Sequence, residues 1–225
     1  YNALKEKTSF SYEEIAAVMG GYSYSAVYPA HDIKIDGSGD DWENYVSMKM
    51  PVRQDQYYAL DKNAILDGMN TTAEYKFCYD KEYLYVYIEV NDDKHVYIDN
   101  SGDYWKGDSI QLAICPMSKT YATEISFVHN EDEKKSSMYS SVNTESEIQK
   151  VKLGTNRVGE KTIYEAAIPW DITFNAEDVW TWDTEGYKVN TADKLNEDGL
   201  PEKCRLSFLI NDNDGAGRAY IVQVD

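Results

Sequence analysis

Aliphatic residues alternate with tyrosine or polar residues over residues 83–92, YLYVYIEVND, and this pattern constrains the fold more than any other stretch of this chain. Leucine, valine or isoleucine occupies each even position from 84 to 90, and tyrosine occupies positions 83, 85 and 87. Successive side chains of a β-strand point to opposite faces, so the pattern predicts a strand with an aliphatic core face and a tyrosine face. Because β-propensity alone favours tyrosine on strands, we expect the tyrosines to lie beneath an N-terminal segment or to face solvent, and not to bind a ligand.

Six other short segments show the same period of two: 73–79, 109–115, 123–128, 163–168, 205–210 and 219–224. Turns rich in Asn, Asp and Gly separate them, which predicts an all-β fold, an antiparallel β-sandwich of jelly-roll or immunoglobulin-like type. In this fold Ile110, Leu112 and Ile114 point inward and Gln111 points outward. The polar residues 130–147 are predicted to form an exposed loop or a ragged hairpin.

A short N-terminal helix is predicted by the capping box of Ser11 and Glu14, which is followed by an apolar face and ended by two glycines. We expect residues 1–30 to pack on the domain or on a neighbouring module. Residues 31–225 then form the sandwich, with a long insertion at about 171–203. Because the chain begins at Tyr1 and shows no signal peptide, we expect it to be a mature or excised part of a longer protein.

The net charge of −18 disfavours nucleic acid and anionic membrane surfaces as partners, since both would repel this chain. No apolar run reaches the length of about 18 residues that a transmembrane helix needs. The chain has twenty tyrosines and five tryptophans, which suit sheet surfaces and sugar contacts alike. Its three cysteines are widely spaced and odd in number, so we expect all three to be unpaired.

No motif for catalysis is present. The sequence lacks GxSxG, GxGxxG and a phosphate-binding P-loop, and His31, His95 and His129 lack the HExxH spacing of zinc enzymes. Forty acidic residues would supply a glycosidase-like carboxylate pair by chance. We therefore expect a protein that is not an enzyme.

Acidic turns suggest a structural Ca²⁺, because hard cations take several oxygen ligands from such loops. We expect Asp92, Asp103 and Asp108 to be ligands, since their turns precede the strand that carries Gln111. The alternative is ordinary turn chemistry, in which Asn, Asp and Gly are common without any metal.

Trp105 stands in a polar turn just before a predicted strand, where it is either a platform for a sugar ring or a hydrophobic lid. Trp180 and Trp182 are two residues apart in the insertion, so in an extended segment they point the same way. Trp42 and Trp170 are interpreted as core or sheet-edge anchors.

Several motifs together resemble those of family 9 carbohydrate-binding modules over about residues 33–224. In chain order they are IDG…DW at 35–42, YDKEYLYV at 79–86, VND at 90–92, WKGDSIQL at 105–112, YEAAIPW at 164–170 and NDNDGAGR at 211–218. The resemblance implies a β-sandwich that binds a sugar between two tryptophans and carries Ca²⁺.

Under this resemblance Trp105 corresponds to the first tryptophan and Gln111 to a polar position that is Glu in such family members. A binding arginine of the family falls near Ser126. The second tryptophan belongs to a final segment that lies beyond the end of this sequence, so Trp180 or Trp182 is the candidate substitute.

The sequence thus predicts a non-catalytic carbohydrate-binding module with a polysaccharide or oligosaccharide as partner. We expect it to belong to a secreted bacterial polysaccharide-degrading or cell-surface protein, joined to other modules of a larger polypeptide. An alternative is a structural or interaction module that kept the fold and lost the sugar site. Another is a haem-binding relative of the same fold, which would need axial Met, His or Lys ligands that face one cavity; Met69, Met117 and His95 are present, but no sequence pattern pairs them.

Overall fold

The computed structural model describes residues 32–50, 57–59, 70–116, 122–173, 180–182, 188–190, 197–200, 204–215, 217 and 220–224. The strands, in chain order, are β1 (Met48–Met50), β2 (Tyr57–Ala59), β3 (Thr72–Tyr79), β4 (Tyr83–Asn91), β5 (Ser109–Pro116), β6 (Thr123–Asn130), β7 (Lys135–Tyr139), β8 (Lys152–Val158), β9 (Lys161–Pro169), β10 (Trp180–Trp182), β11 (Lys188–Asn190), β12 (Cys204–Asp212) and β13 (Tyr220–Val224). The helical turns are 3₁₀ at Asp40–Trp42 and Ser101–Lys106, and α-helical at Glu145–Ile148 and Trp170–Thr173.

Most of these strands form two antiparallel sheets. The first sheet has the order β1-β3-β4-β9-β8 and the second has the order β2-β13-β12-β5-β6-β7. Strands β10 and β11 pair only with each other among the described residues. The hairpin predicted from the tyrosine-rich strand is present, with Tyr79 opposite Leu84. The predicted antiparallel β-sandwich is therefore confirmed.

The core lies between the two sheets and follows the predicted alternation. Ile110, Leu112 and Ile114 of β5 are at most 1% exposed. Tyr75 of the first sheet meets Phe208 of the second edge-to-face, with ring centroids 4.9 Å apart. Burying each such aliphatic or aromatic side chain contributes about 1.5–3 kcal/mol to the free energy of unfolding.

The tyrosine face of β4 is covered by the chain itself. Trp42 is fully buried, and its ring lies 5.6 Å from that of Tyr87, which is 7% exposed. The Tyr85 hydroxyl donates to the Asp80 carboxylate at 2.8 Å. Trp42 is thus an anchor, as predicted, and the tyrosines of this strand serve the packing of residues 33–45 on the first sheet.

A buried carboxylate fastens that N-terminal segment to the sheet. Glu165 of β9 is 1% exposed, and it accepts hydrogen bonds from the backbone N–H groups of Asp36, Gly37 and Gly39. The two backbones approach so closely that a Cβ on Gly154 of β8 would lie 2.8 Å from the Gly37 nitrogen. Residues 36–39 therefore lie directly on the sheet.

Other sequence predictions have mixed outcomes. Residues 130–147 contain a hairpin, because β7 pairs with β6, and a short helix that Thr144 caps. Strand β8 was not predicted, since the apolar and polar residues of its sequence KLGTNRV do not alternate clearly.

The predicted helix within residues 1–30 and much of the predicted insertion at about 171–203 lie outside the described residues. In the described part of the chain, no helix has the length and apolar character required to cross a membrane.

None of the three cysteines forms a disulfide in the described structure, as predicted. The Cys115 sulfur accepts a hydrogen bond from the Arg205 guanidinium at 3.1 Å. Cys115 lies opposite Arg205 in the β5–β12 ladder, and Cys204 lies opposite Pro116 on the neighbouring rung. Side chains on neighbouring rungs point to opposite faces of a sheet, so Cys115 and Cys204 cannot form a disulfide without rearranging the strands.

Candidate functional site

A loop of residues 96–108 carries Trp105 into solvent beside the second sheet. Its ends meet because the Asp108 N–H donates to the Val96 carbonyl at 2.9 Å and the Asp108 carboxylate accepts from the Val96 N–H. Gly107 permits this closure, since a Cβ there would lie 2.5 Å from the Val96 carbonyl oxygen. The loop is therefore held in place at its base.

Trp105 borders an open depression of about 210 Å³ on the outer face of the second sheet. Its side chain is 39% exposed, and Tyr139 of β7, which lines the same depression, is 36% exposed. The other lining residues are Ser101, Gly102, Tyr104, Gln111, Glu124, Ser126, Ser140 and Ser141. Exposed aromatic rings beside a floor of hydroxyl, amide and carboxylate groups can hold a ligand that is apolar on one face and polar at its edges.

The floor is organised around Gln111. The Asn211 side-chain amide donates to Gln111 Oε1 at 3.1 Å, and Gln111 Nε2 donates to Glu124 Oε1 at 3.4 Å. Asn211 is fully buried, so its amide is a fixed support for the glutamine. These bonds orient the Gln111 amide nitrogen toward Glu124 and leave most acceptor positions of the Glu124 carboxylate available.

Strand register brings three of the lining residues into one row. Gln111 of β5 lies opposite Ser126 of β6, and Ser126 lies opposite Tyr139 of β7. Ser126 is 6% exposed and occupies the position near which the resemblance placed an arginine. The structure therefore brings Trp105 and Gln111 together, as the sequence predicted, and adds Tyr139 beside them.

Trp180 and Trp182 belong to the β10–β11 hairpin, in which Trp180 lies opposite Asn190 and Trp182 opposite Lys188. Their side chains lie outside the described part of the structure. Their role as sugar contacts stays a prediction.

A second polar cluster lies where β4 and β12 end and β5 begins. Asp92, Asp108 and Asp212 are respectively 5%, 7% and 2% exposed. Thr71 donates to Asp212 Oδ2 at 2.6 Å, but Asp212 Oδ1 is buried and has no hydrogen-bond partner among the described residues. A buried acceptor with no donor is costly, and a cation is one group that would satisfy it.

Asp92 contributes to two sets of atoms with metal-like spacing. Oxygens of Asp92, Asp93 and Asp214 lie within 4.8 Å of one another, as do ligand atoms of Asp92, His95 and Asp108. The first set consists only of oxygen donors and thus fits Ca²⁺.

Burial perturbs the titration of this cluster. Burial, and next the charge of Asp212, raise the pKa of Asp92 to about 6. Burial raises the pKa of Asp108 to about 8, and it also raises the pKa of Asp212. A bound divalent cation would reverse these effects, because it favours the ionised carboxylates.

The third predicted metal ligand, Asp103, lies apart from these two sets. Its carboxylate accepts from the Asn100 amide at 3.0 Å and pairs with Lys106 at 2.8 Å. Asp103 therefore stabilises the loop that carries Trp105. Asp92 and Asp108 are brought together as expected.

The fold and the motifs have counterparts among known proteins. The family model described as "Carbohydrate family 9 binding domain-like" matches residues 35–224. The chain belongs to this family. No curated protein sequence matches it.

Two solved structures of a family 9 carbohydrate-binding module from Caldicellulosiruptor kristjanssonii are similar to this one. The complex with cellotriose has 18% identity and a TM-score of 0.56, and the match covers 86% of this chain and 80% of that one. The complex with glucose has 16% identity and a TM-score of 0.53, with coverage of 89% and 83%. At these identities the likeness shows the fold alone.

Sequence reasoning missed two residues at the depression of this family 9 domain, Glu124 and Tyr139. Glu124 alternates with buried residues on a predicted strand, which marks it as outward-facing, but its proximity to Gln111 depends on the β5–β6 register. Tyr139 lies within residues 130–147, which were predicted to form an exposed loop or a ragged hairpin, and that prediction did not place Tyr139 beside Gln111.

The haem alternative gains no support from the described residues of the family 9 domain. His95 Nε2 lies 2.9 Å from the His129 carbonyl oxygen, and His129 Nδ1 lies 2.8 Å from Thr155 Oγ1. Both histidines thus belong to a polar network near Asp92. Met69 and Met117 lie outside the described residues.

Proposed function

We propose that this family 9 domain is a non-catalytic module that binds a polysaccharide or oligosaccharide at the depression beside Trp105. The observation that carries the proposal is the pair of exposed rings of Trp105 and Tyr139 lining one depression with a polar floor. A pyranose ring offers C–H groups on its face and hydroxyls at its rim. Its face packs on an aromatic ring, and its rim exchanges hydrogen bonds with Gln111 and Glu124.

β-Linked glucose oligosaccharides are the first ligands to test, because the two similar structures hold cellotriose and glucose. Few anchors are available in so shallow a site, so each module should bind weakly on its own. The context we propose is a secreted bacterial polysaccharide-degrading or cell-surface protein in which other modules accompany this one.

The decisive experiment compares the wild-type protein with Trp105→Ala in titrations with cello-oligosaccharides and in retention on insoluble polysaccharide. We expect the variant to lose binding and to change the free energy of unfolding by only about 1 kcal/mol, as for other partly exposed side chains. Trp105→Phe should retain part of the affinity because it keeps a ring. Val158→Ala is a matched control, since Val158 is 69% exposed at the end of β8.

A different result would support the structural module instead. If the wild-type protein binds none of the glycans and Trp105→Ala loses about 3–5 kcal/mol of stability, Trp105 is a packing residue. The domain would then have kept its fold without the sugar site.

We also propose that Ca²⁺ binds at the acidic cluster, with Asp92, Asp93 and Asp214 as oxygen ligands and Asp212 beside them. The unpartnered oxygen of Asp212 and the raised pKa values of Asp92 and Asp212 support the proposal. Binding to the folded state should raise the Tm in millimolar Ca²⁺ relative to EDTA. Asp214→Asn should reduce this shift, and equal melting curves for the wild-type protein in the two buffers would disprove the site.

A further inference from the structure

Charge at the depression distinguishes sugars that differ by a single group. Among the ten lining residues Glu124 is the only one with an ionisable carboxylate or a cationic side chain. Beside the depression, the ammonium of Lys106 lies 5.2 Å from the centre of the Trp105 ring. That ammonium pairs with Asp103 at 2.8 Å, so its charge is largely compensated within the loop.

We propose that Glu124 makes this site selective for sugars with a free amino group, such as β-1,4-linked glucosamine oligomers. The inference rests on the proposed function, because it assumes that a sugar enters the depression. Glu124 is half-buried, and among the described residues Gln111 is its one hydrogen-bond partner, at 3.4 Å. The carboxylate therefore has acceptor capacity for a ligand.

The orientation of Gln111 strengthens this selection. Because Asn211 donates to Gln111 Oε1, the Gln111 amide nitrogen faces Glu124. The Gln111 carbonyl oxygen is thus already engaged, and the Glu124 carboxylate is the stronger acceptor for a ligand. A ligand hydroxyl would make a neutral-to-charged hydrogen bond with Glu124, whereas an ammonium would make a shorter charge-assisted one. The ammonium would also be attracted to the faces of nearby aromatic rings.

Sugars with carboxylate or sulfate groups are expected to be rejected. Such a group near Glu124 would place like charges together, and none of the described lining residues provides a compensating cation. The overall charge of −18 acts in the same direction at long range and is screened by salt. Selectivity that survives in 0.3 M salt would therefore come from the site itself.

The test is a calorimetric titration of the whole chain at pH 5.5 in 0.3 M salt with three tetrasaccharides: the β-1,4-linked glucosamine tetramer, cellotetraose and a galacturonate tetramer. The first two differ only at C2, where an ammonium replaces a hydroxyl. We expect the glucosamine tetramer to bind about 2- to 5-fold more tightly than cellotetraose, which is the range for a partly exposed ion pair. The galacturonate tetramer should bind least.

Glu124→Gln removes the charge and keeps the shape and a hydrogen bond to Gln111. This variant should lose the preference, so that it binds the glucosamine tetramer and cellotetraose with about equal affinity. Glu133→Gln, an exposed site in the β6–β7 turn, is the matched control and should keep the preference for glucosamine.

The outcomes are separable. If cellotetraose binds and the glucosamine tetramer binds no better, or if Glu124→Gln keeps the preference, the selectivity is refuted and the proposed function stands. The selectivity is also refuted, and the proposed function again stands, if Glu133→Gln loses the preference for the glucosamine tetramer as much as Glu124→Gln does. If none of the tetramers binds, both proposals fail.

Discussion

Replacing Glu165 by Gln tests the attachment of the N-terminal segment to the first sheet. The carboxylate accepts from Asp36 at 3.0 Å and from Gly37 through Oε2, and from Gly39 at 2.9 Å through Oε1. Glutamine has one acceptor oxygen. It can keep the two bonds from Asp36 and Gly37, but its NH₂ group then faces the N–H of Gly39, so that a donor meets a donor.

The expected cost follows from these three bonds. A hydrogen bond to a charged group contributes about 1.5–3 kcal/mol and a neutral one about 0.5–1.5 kcal/mol. Losing one such bond and weakening two others from charged to neutral gives roughly 3.5–6 kcal/mol. Removing a buried charge offsets part of this loss, because burial of Glu165 raises its pKa. We expect the free energy of unfolding at pH 7 to fall by about 2–3 kcal/mol.

Urea unfolding monitored by circular dichroism measures this change, and hydrogen exchange at the amides of Gly37 and Gly39 localises it. The difference between wild type and variant should widen at acid pH, because the raised pKa of Glu165 means that its protonation stabilises the folded wild-type protein, whereas Gln does not titrate. Glu82→Gln is the control, because Glu82 is exposed. A loss no larger than that of the control would refute the reasoning.

Three further predictions concern the rest of the domain. In EDTA the free energy of unfolding should fall as pH rises from about 4 to 8. The folded-state pKa values of Asp92 (about 6) and Asp108 (about 8) are raised, so the stability that these protonated carboxylates contribute is present below pH 4 and is lost as each one ionises. Melting temperatures across this range measure the change, and a stability that rises with pH would contradict it. Gly107→Ala should weaken oligosaccharide binding and lower the Tm, because its Cβ would meet the Val96 carbonyl; an unchanged Tm would show that the loop can shift. Alkylation of the unfolded, unreduced protein should label three thiols in the mass spectrum, and any stable disulfide would contradict this.

The alternation of apolar and polar residues was sufficient to predict the main strands and to predict which of their side chains face the core. Gln111 was correctly placed on the outer face, because its neighbours on the strand are aliphatic and lie at most 1% exposed. Strand β8 escaped prediction since a polar strand on a sheet edge carries no such signal. The helix predicted within residues 1–30 remains untested.

Residues that come together across strands could not be predicted from local pattern. Glu124 meets Gln111 only through the β5–β6 register, and Asp212 meets Asp92 only because β12 and β4 end at the same side of the sandwich. Asp103 was chosen for its acidic turn, but the same turn contains Lys106, which pairs with it. The local sequence showed which turns were acidic but not which carboxylates converge.

The closed base of the loop at residues 96–108 has a consequence for engineering. Because Val96 and Asp108 bond to each other, the residues between them form a cassette that can be randomised or lengthened while the sheets stay fixed. Doubling the length of a flexible loop costs only about 0.6 kcal/mol in closure entropy. Libraries built at positions 97–103, 105 and 106, with buried Tyr104 and with Gly107 and Asp108 retained, would vary the aromatic surface as antibody loops are varied on a constant framework.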